Sequence, residues 1–149
     1  MSESVVVRIG AGRYAVGLSG IAEVVTAPQT TRVPGLPRWL TGVANWRGRV
    51  LPVLDLRPLL GEEQNPLPSS SRLVILSADQ FEAGLLVDSV LGLLSPIEGS
   101  PQPVPATATA DVAALVVGVV DDGQGPVSLL GEREVLQLRS RLAPDLRAG

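Results

Sequence analysis

Three sets of residues in this chain could do chemistry: two aspartates at apolar strand ends, one glutamate, and one arginine. Asp88-Ser89 follows Gly84-Leu85-Leu86-Val87, and Asp55-Leu56 follows Val50-Leu51-Pro52-Val53-Leu54. Two carboxylates brought together can share a proton and activate water. That loop needs a glycine two residues after the aspartate for close backbone approach, and Val90 stands there after Asp88. Asp55 fails the same test. The simpler reading is that both aspartates end strands and cap the turns that follow. Glu23 interrupts the apolar run Ile21-Ala22-Glu23-Val24-Val25, where a charge needs water or a partner. Arg47 stands beside Gly48 in the centre of an otherwise apolar hairpin. An Arg47–Glu23 pair would fix a polar anchor at the rim of an apolar binding surface.

The elements that must position these groups are short strands. Gly42 to Leu56 reads as a β-hairpin whose turn is Asn45 to Arg49. Val50, Leu51, Val53 and Leu54 are too continuously apolar for a strand with one wet face, which predicts cover on both sides. Val5 to Ile9 and Tyr14 to Leu18 form an earlier hairpin, and Arg72 to Leu76 opens the second half. Residues 83–94 read as one long or bent strand, or two. Residues 115–130 make a last hairpin, residues 95–111 read as irregular, and Glu132 to Leu142 reads as an amphipathic helix. Gly10-x-Gly12 has no third glycine at the right spacing and no helix after it, so it carries no dinucleotide site.

Composition narrows the function. Of 149 residues, 45% are apolar, before 16 glycines are added, and 18% are charged. A small domain with that balance leaves apolar patches for partners. Histidine and cysteine are absent, so no imidazole base, thiolate, disulfide or standard zinc site can form. No cofactor is expected. The net charge of −3 divides into +3 over residues 1–75 and −6 over residues 76–149. Without a basic run or interleaved aromatics, nucleic acid is not an expected partner. Met1 to Ser4 has no positive n-region, and the apolar run Val112 to Val120 is too short to span a bilayer. The expectation is a cytoplasmic protein without direct membrane insertion.

The two halves resemble each other. Tyr14-x-x-Gly17-Leu18 echoes Phe81-x-x-Gly84-Leu85, and Gly42-Val43, turn, Pro52-Val53 echoes Gly118-Val119, turn, Pro126-Val127. Two copies of a five-strand unit, each too small to bury a core alone, would share one. The expectation is an all-β single domain over 1–149, with repeats at about 5–61 and 72–130 and a C-terminal helix over 131–142. The pattern leaves open an exchange of strands between the repeats.

Ile21-x-Glu23-Val24, the hairpin Gly42-Val43-Ala44-Asn45-Trp46-Arg47-Gly48-Arg49-Val50-Leu51-Pro52-Val53-Leu54-Asp55-Leu56-Arg57, and Gly84-Leu85-Leu86-Val87-Asp88-Ser89-Val90 occur in the order and spacing of a known family. The chain resembles the CheW-like domain of chemotaxis coupling proteins and of the chemotaxis histidine kinase's regulatory domain. The resemblance covers about residues 4–140. It implies two SH3-like five-stranded β-barrels around a shared hydrophobic core, with short helices and no active site. It also implies an adaptor that couples chemoreceptors, the methyl-accepting chemotaxis proteins, to a CheA-type histidine kinase.

Carried over by position, the resemblance places receptor contacts at Ile21, Glu23, Gly42, Val43, Asn45, Arg47, Gly84, Val87 and Asp88. It places kinase contacts at Val25, Thr26 and Trp46. The cytoplasmic tip of a receptor would occupy one surface, and the kinase's own CheW-like domain another. Trp46 stands where the family commonly has an aliphatic residue, and residues 96–111 match poorly. An adaptor of a pilus, gliding or light-sensing array is the alternative reading. An aspartic-protease-like β-fold hydrolase using Asp88 is a distant one.

Overall fold

A computed structural model describes residues 3–28, 30–31, 33–95 and 101–142. Ten strands form two five-stranded sheets. In chain order they are β1 (Ser4–Ile9), β2 (Gly12–Gly17), β3 (Ile21–Thr26), β4 (Leu40–Trp46), β5 (Arg49–Leu54), β6 (Arg72–Ala78), β7 (Phe81–Val87), β8 (Ser89–Leu94), β9 (Val116–Asp121) and β10 (Pro126–Leu130). Three short helices accompany them: α1 (Arg57–Leu60), α2 (Ala110–Leu115) and α3 (Glu132–Leu136). The first sheet runs β8-β1-β2-β10-β9 and the second β3-β6-β7-β5-β4.

The two orders are the same when β1–β5 is laid on β6–β10. In each, a hairpin is flanked by an antiparallel edge strand, and its second strand pairs in parallel with the last strand of another hairpin: β10 on β2, β5 on β7. The sheets do not divide the chain at the 62–71 loop. β3, β4 and β5 leave the first half to join β6 and β7, while β8, β9 and β10 join β1 and β2. The chain crosses between sheets at Leu18–Gly20, a single 3₁₀ turn, and at Asp88.

Period-two alternation explains why the strands are apolar on both faces. Val5, Val7, Ile9, Tyr14 and Val16 face one way, and meet Val74, Leu76, Ala83, Leu85 and Val87 of the other sheet in a shared core. The alternate residues turn away into separate cores. Val6, Ala15, Val120 and Val127 fill the first barrel, and Ala44, Leu51, Val53, Leu73, Ile75 and Leu86 fill the second. Cover on both sides holds for Leu51, Val53 and Leu54 but not for Val50, which is 62% exposed beside the hairpin turn.

Two sheet edges are covered by the same device. Thr31 bonds Val43 on β4 in both directions (2.9 and 3.0 Å), and Gln102 bonds Val119 on β9 (2.8 and 2.9 Å). A glycine precedes each bridged valine. A Cβ on Gly42 would run into the Thr31 carbonyl, and one on Gly118 would come 2.9 Å from Pro101 Cβ.

The C-terminal segment departs from a single helix over 131–142. It is α-helical over Glu132–Leu136 and continues as 3₁₀ over Gln137–Arg141. The chain bends so that Val135, Leu136 and Leu138 all reach the shared core. Arg139 stacks 3.4 Å from the Phe81 ring centroid, and Arg133 pairs with Asp79 at 3.0 Å. Within the stretch read as irregular, α2 begins at Ala110, with the Thr109 hydroxyl accepting from Val112 N. Residues 96–100 lie outside the described residues.

Asp55 ends β5 as expected, and caps α1 by accepting from Arg57 N at 3.1 Å. Its main partner is the Arg57 side chain, whose Nε and Nη2 bind its two oxygens at 2.9 and 2.8 Å. Gln64 Nε2 donates to Asp55, and Arg57 Nη1 to the Asn65 carbonyl, so the buried pair also ties down the following loop. Burial pushes the Asp55 carboxyl up. The Arg57 and Gln64 side-chain donors and the Arg57 N–H outweigh it, and the group sits below the ordinary aspartate value. A depressed carboxylate stabilises the fold above its unfolded pKa of about 3.9, and the contribution is lost as pH falls through the lower folded value. Asp55→Ala leaves Arg57 buried and unpaired, and should cost about 3–5 kcal/mol at neutral pH in urea unfolding. The cost should shrink as pH falls below about 3.9, where the unfolded carboxyl protonates, and vanish at the lower pH where the native one does.

Candidate functional site

The β4–β5 hairpin turns through Arg47 (φ 51°) and Gly48 (φ 77°), flanked by the Trp46–Arg49 pair. Two successive positive φ values define the mirror-image turn that matches strand twist. Glycine adopts it freely, whereas arginine there costs about 1 kcal/mol. Gly48 N donates to Asn45 Oδ1 at 3.1 Å, which ties the turn across its base.

This turn gathers a polar cluster over the mouth of the second barrel. The Arg47 and Arg49 guanidinium carbons lie 5.2 and 5.1 Å from the Trp46 ring centroid. Trp46 Nε1 donates to Glu23 Oε2 at 2.5 Å, and Arg47 Nη2 to Glu23 Oε1 at 3.3 Å. Arg49 pairs with Glu82 at 2.6 Å. The Glu23–Arg47 pair therefore forms, but Trp46 is the closer partner of the carboxylate. The indole N–H is the main cause holding Glu23 below the ordinary glutamate value; burial opposes it and Arg47 assists. Arg47 keeps 67% of its side chain exposed.

Apolar residues are also exposed on an edge strand of each sheet. Val24 pairs with Val74, so it lies on the shared-core face of the second sheet, yet it sits on an edge strand and is 39% exposed. Val90 pairs with Val7 and Leu93 with Val5, which puts both on the shared-core face of the first sheet. They are 38% and 64% exposed, again on an edge strand. The shared core thus continues outward to solvent on both sheets. Leu18 lies at the crossing between them and is also exposed; its N–H bonds Glu3 O, next to Ser4, which pairs with Leu94.

The remaining sequence-derived positions divide into surface and interior. Thr26 is exposed, Val25 is half-buried against the second barrel's core, and Ile21 is half-buried against the shared core. Glu23, Ile75, Gly84, Val53 and Gly42 form one row across the second sheet. Its two glycines are interior. Gly84 is buried, a Cβ there would come 2.8 Å from the Leu73 side chain, and Gly42 lies under Thr31. Val87 is fully buried, and Val43 is half-covered by the Thr31 bridge. Asp88 accepts from Gly10 N at 2.7 Å, so it holds the β1–β2 turn rather than its own, and the Ser70 hydroxyl donates to its carbonyl. Gly42, Gly84 and Val87 bear on a partner only through the shape of the sheet.

The sequence does not single out Val24, Val90, Leu93 and Leu18 as exposed apolar residues. Apolar residues in apolar strands carry no signal until the strand is known to lie on an edge.

Asp55 faces Arg57 and Asp88 a backbone N–H, so neither is placed to share a proton with another carboxylate. Among the described residues, no three His, Cys, Asp or Glu side chains converge as a metal site, and no helix is long and apolar enough to cross a membrane. A cleft of about 430 Å³ opens between α3 and β5, lined by Val50, Phe81, Leu136 and Leu142.

Fold and surface together define a two-barrel β protein whose distinctive exposed groups are an aromatic–arginine cluster and an apolar band. The family model for the CheW-like domain matches residues 3–139, and the chain belongs to that family. PilI of Pseudomonas aeruginosa is 36% identical over 107 residues, covering 64% of this chain and 60% of that protein's length. FrzA of Myxococcus xanthus is 32% identical over 134 residues, covering 87% of this chain and 82% of that protein. The solved scaffolding protein TtCheW of Thermoanaerobacter tengcongensis superposes with a TM-score of 0.78 at 27% identity, over 87% of this chain and 88% of that one.

Because the indole N–H is the first donor to Glu23, Trp46→Phe should raise the Glu23 pKa more than Arg47→Ala does. Carboxyl-detected NMR titration of the two variants checks the order.

Proposed function

We propose that the chain is a non-enzymatic adaptor of chemotaxis or motility signalling, coupling chemoreceptors to a CheA-type histidine kinase in the cytoplasm. The observation that carries this reading is the apolar band at Val24, Val90 and Leu93, where the inter-barrel core reaches solvent on both sheets. A helix laid there would bury its apolar stripe against both barrels at once. The cytoplasmic tip of a chemoreceptor, a coiled coil, is the occupant that family membership supports. Ile21, Glu23, Asn45 and Arg47 would border that helix, while Gly42, Val43, Gly84, Val87 and Asp88 would keep the sheets in the shape that receives it.

The kinase's CheW-like domain would take a second surface, built on Val25, Thr26 and Trp46. Trp46 suits that role because a rigid aromatic held by a hydrogen bond and flanked by two arginines is the kind of residue on which interfaces concentrate their energy. With receptor and kinase on adjoining surfaces of one rigid core, a shift in either contact biases the other.

An adaptor of a pilus or gliding array uses the same surfaces. Similarity to PilI and FrzA beside the chemotaxis proteins favours keeping that reading.

Reconstituted receptor–kinase assemblies test the proposal. Val24→Asp and Leu93→Asp should each weaken receptor-tip binding about tenfold or more, roughly 1.4 kcal/mol, and leave co-purification with the kinase intact. Arg47→Glu should lower receptor-dependent kinase stimulation with unchanged thermal unfolding. Normal stimulation by all three variants would overturn the assignment.

A further inference from the structure

We infer that the cleft between α3 and β5 binds a small amphipathic monocarboxylate, with its apolar body in the cleft and its carboxylate on Arg139. The two sheets share one strand order, so each barrel serves as a comparison for the other. In the first sheet the parallel β2–β10 ladder starts at Tyr14, which pairs with Ser128 and is 8% exposed. Phe81 is the echo of Tyr14 in the second sheet. There the β5–β7 ladder starts only at Gly84, opposite Val53, and Phe81 is 40% exposed. The strands are therefore not laddered over Arg49 to Pro52 and Phe81 to Ala83. Pro52 has no N–H to offer such a ladder. The cleft of about 430 Å³ lies along this gap, with Val135, Leu136, Arg139 and Leu142 as its other wall.

The lining selects the ligand. The volume falls within the range of about 300–1,000 Å³ usual for small-molecule sites. Leu54, Val135 and Leu136 belong to the shared core, so the cleft is an inlet to that core. Among its described lining residues only Arg49, Gln80, Glu82 and Arg139 are polar. Arg49 and Glu82 pair at 2.6 Å and cancel. Gln80 is uncharged. Arg139 makes no ion pair among the described residues, whereas Arg133, on the preceding turn, is held by Asp79. Its guanidinium carbon lies 3.4 Å from the Phe81 ring centroid. Stacking on the ring fixes the plane of the group and leaves its N–H edge free. That edge is a planar fork, which a carboxylate accepts with both oxygens. One unpaired cation matches one negative charge. A doubly charged head would meet Glu82, and a cationic head would meet Arg139. The inference rests on this cleft rather than on the coupling role, and stands or falls separately from it.

Decanoate is a suitable probe, with one carboxylate on an unbranched apolar chain. A ligand of this size should bind with a dissociation constant on the order of 1 mM or tighter. Methyl-detected NMR of the whole chain, titrated with decanoate to about 10 mM below its micellar range, should show saturable shifts at Val50, Leu136 and Leu142. Val24 and Leu93, exposed elsewhere, should stay in place. Arg139→Gln should raise the dissociation constant at least tenfold with little change in thermal unfolding. Val50→Glu, at a position 62% exposed, should do the same by adding a carboxylate to the lining. Decyltrimethylammonium, a chain of the same length with the opposite head charge, should give no saturable shift. The absence of saturation with decanoate would overturn the inference, as would equal affinity in Arg139→Gln or an equal response to the cationic head. Shifts of the same size at Val24 and Leu93 would also overturn it, because they would show adsorption to any exposed apolar residue.

Discussion

Val5, Val7 and Ile9 of one sheet meet Val74, Leu76 and Leu85 of the other, and this contact is the constraint behind the rest of the molecule. A five-stranded unit of about sixty residues buries a small share of its surface and is marginal by itself. Here each unit also gives strands to its neighbour: β3, β4 and β5 complete a sheet that begins with β6 and β7, and β8, β9 and β10 complete the one that begins with β1 and β2. Neither barrel closes unless the other does. Every inner strand must then be apolar on both faces, one for its own barrel and one for the shared core, which is why a chain with so few aromatics runs in unbroken stretches of valine and leucine.

The same constraint leaves apolar faces exposed on edge strands. A strand at the edge of such a sheet keeps a face that its inner neighbours bury, and at Val24, Val90 and Leu93 that face is left to solvent. The polar cluster arises equally locally. Strand twist calls for the mirror-image turn at Arg47-Gly48, and the turn places Trp46, Arg47 and Arg49 together where Glu23 can reach two of them. Interior glycines serve both. Gly42 admits Thr31 against β4, and Gly84 admits Leu73, so substitution at either would alter the surface from below without touching a partner.

Much of this was legible from residue types. The hairpin, the repeat and the two-barrel architecture follow from the Gly42-Val43 and Gly118-Val119 echoes, and from family likeness centred on the hairpin. The Glu23–Arg47 pair followed from a charge with no other reason to interrupt an apolar run. What was hidden depends on long-range pairing. Val50 reads like Val53, but one stands beside a turn and the other is enclosed. Asp88 reads as the cap of its own turn, yet the group it caps is Gly10, 78 residues away. Trp46 as the first donor to Glu23 depends on β3 and β4 lying at opposite edges of one barrel, closed so that their side chains meet, and no local pattern announces that closure. The short α2 was masked by the alanines, prolines and threonines around it.

The central claim is that one surface, built from both sheets, receives the receptor. The most direct measurement is methyl-detected NMR of the valines and leucines while a soluble receptor-tip coiled coil is titrated in. The account predicts that Val24, on the second sheet, shifts together with Val90 and Leu93, on the first, along a single binding curve. The fully buried Val53 and Val127, inside the two barrels, should stay in place. Shifts confined to one sheet, or centred on the Val50–Phe81 cleft while Val24 and Leu93 are silent, would contradict it.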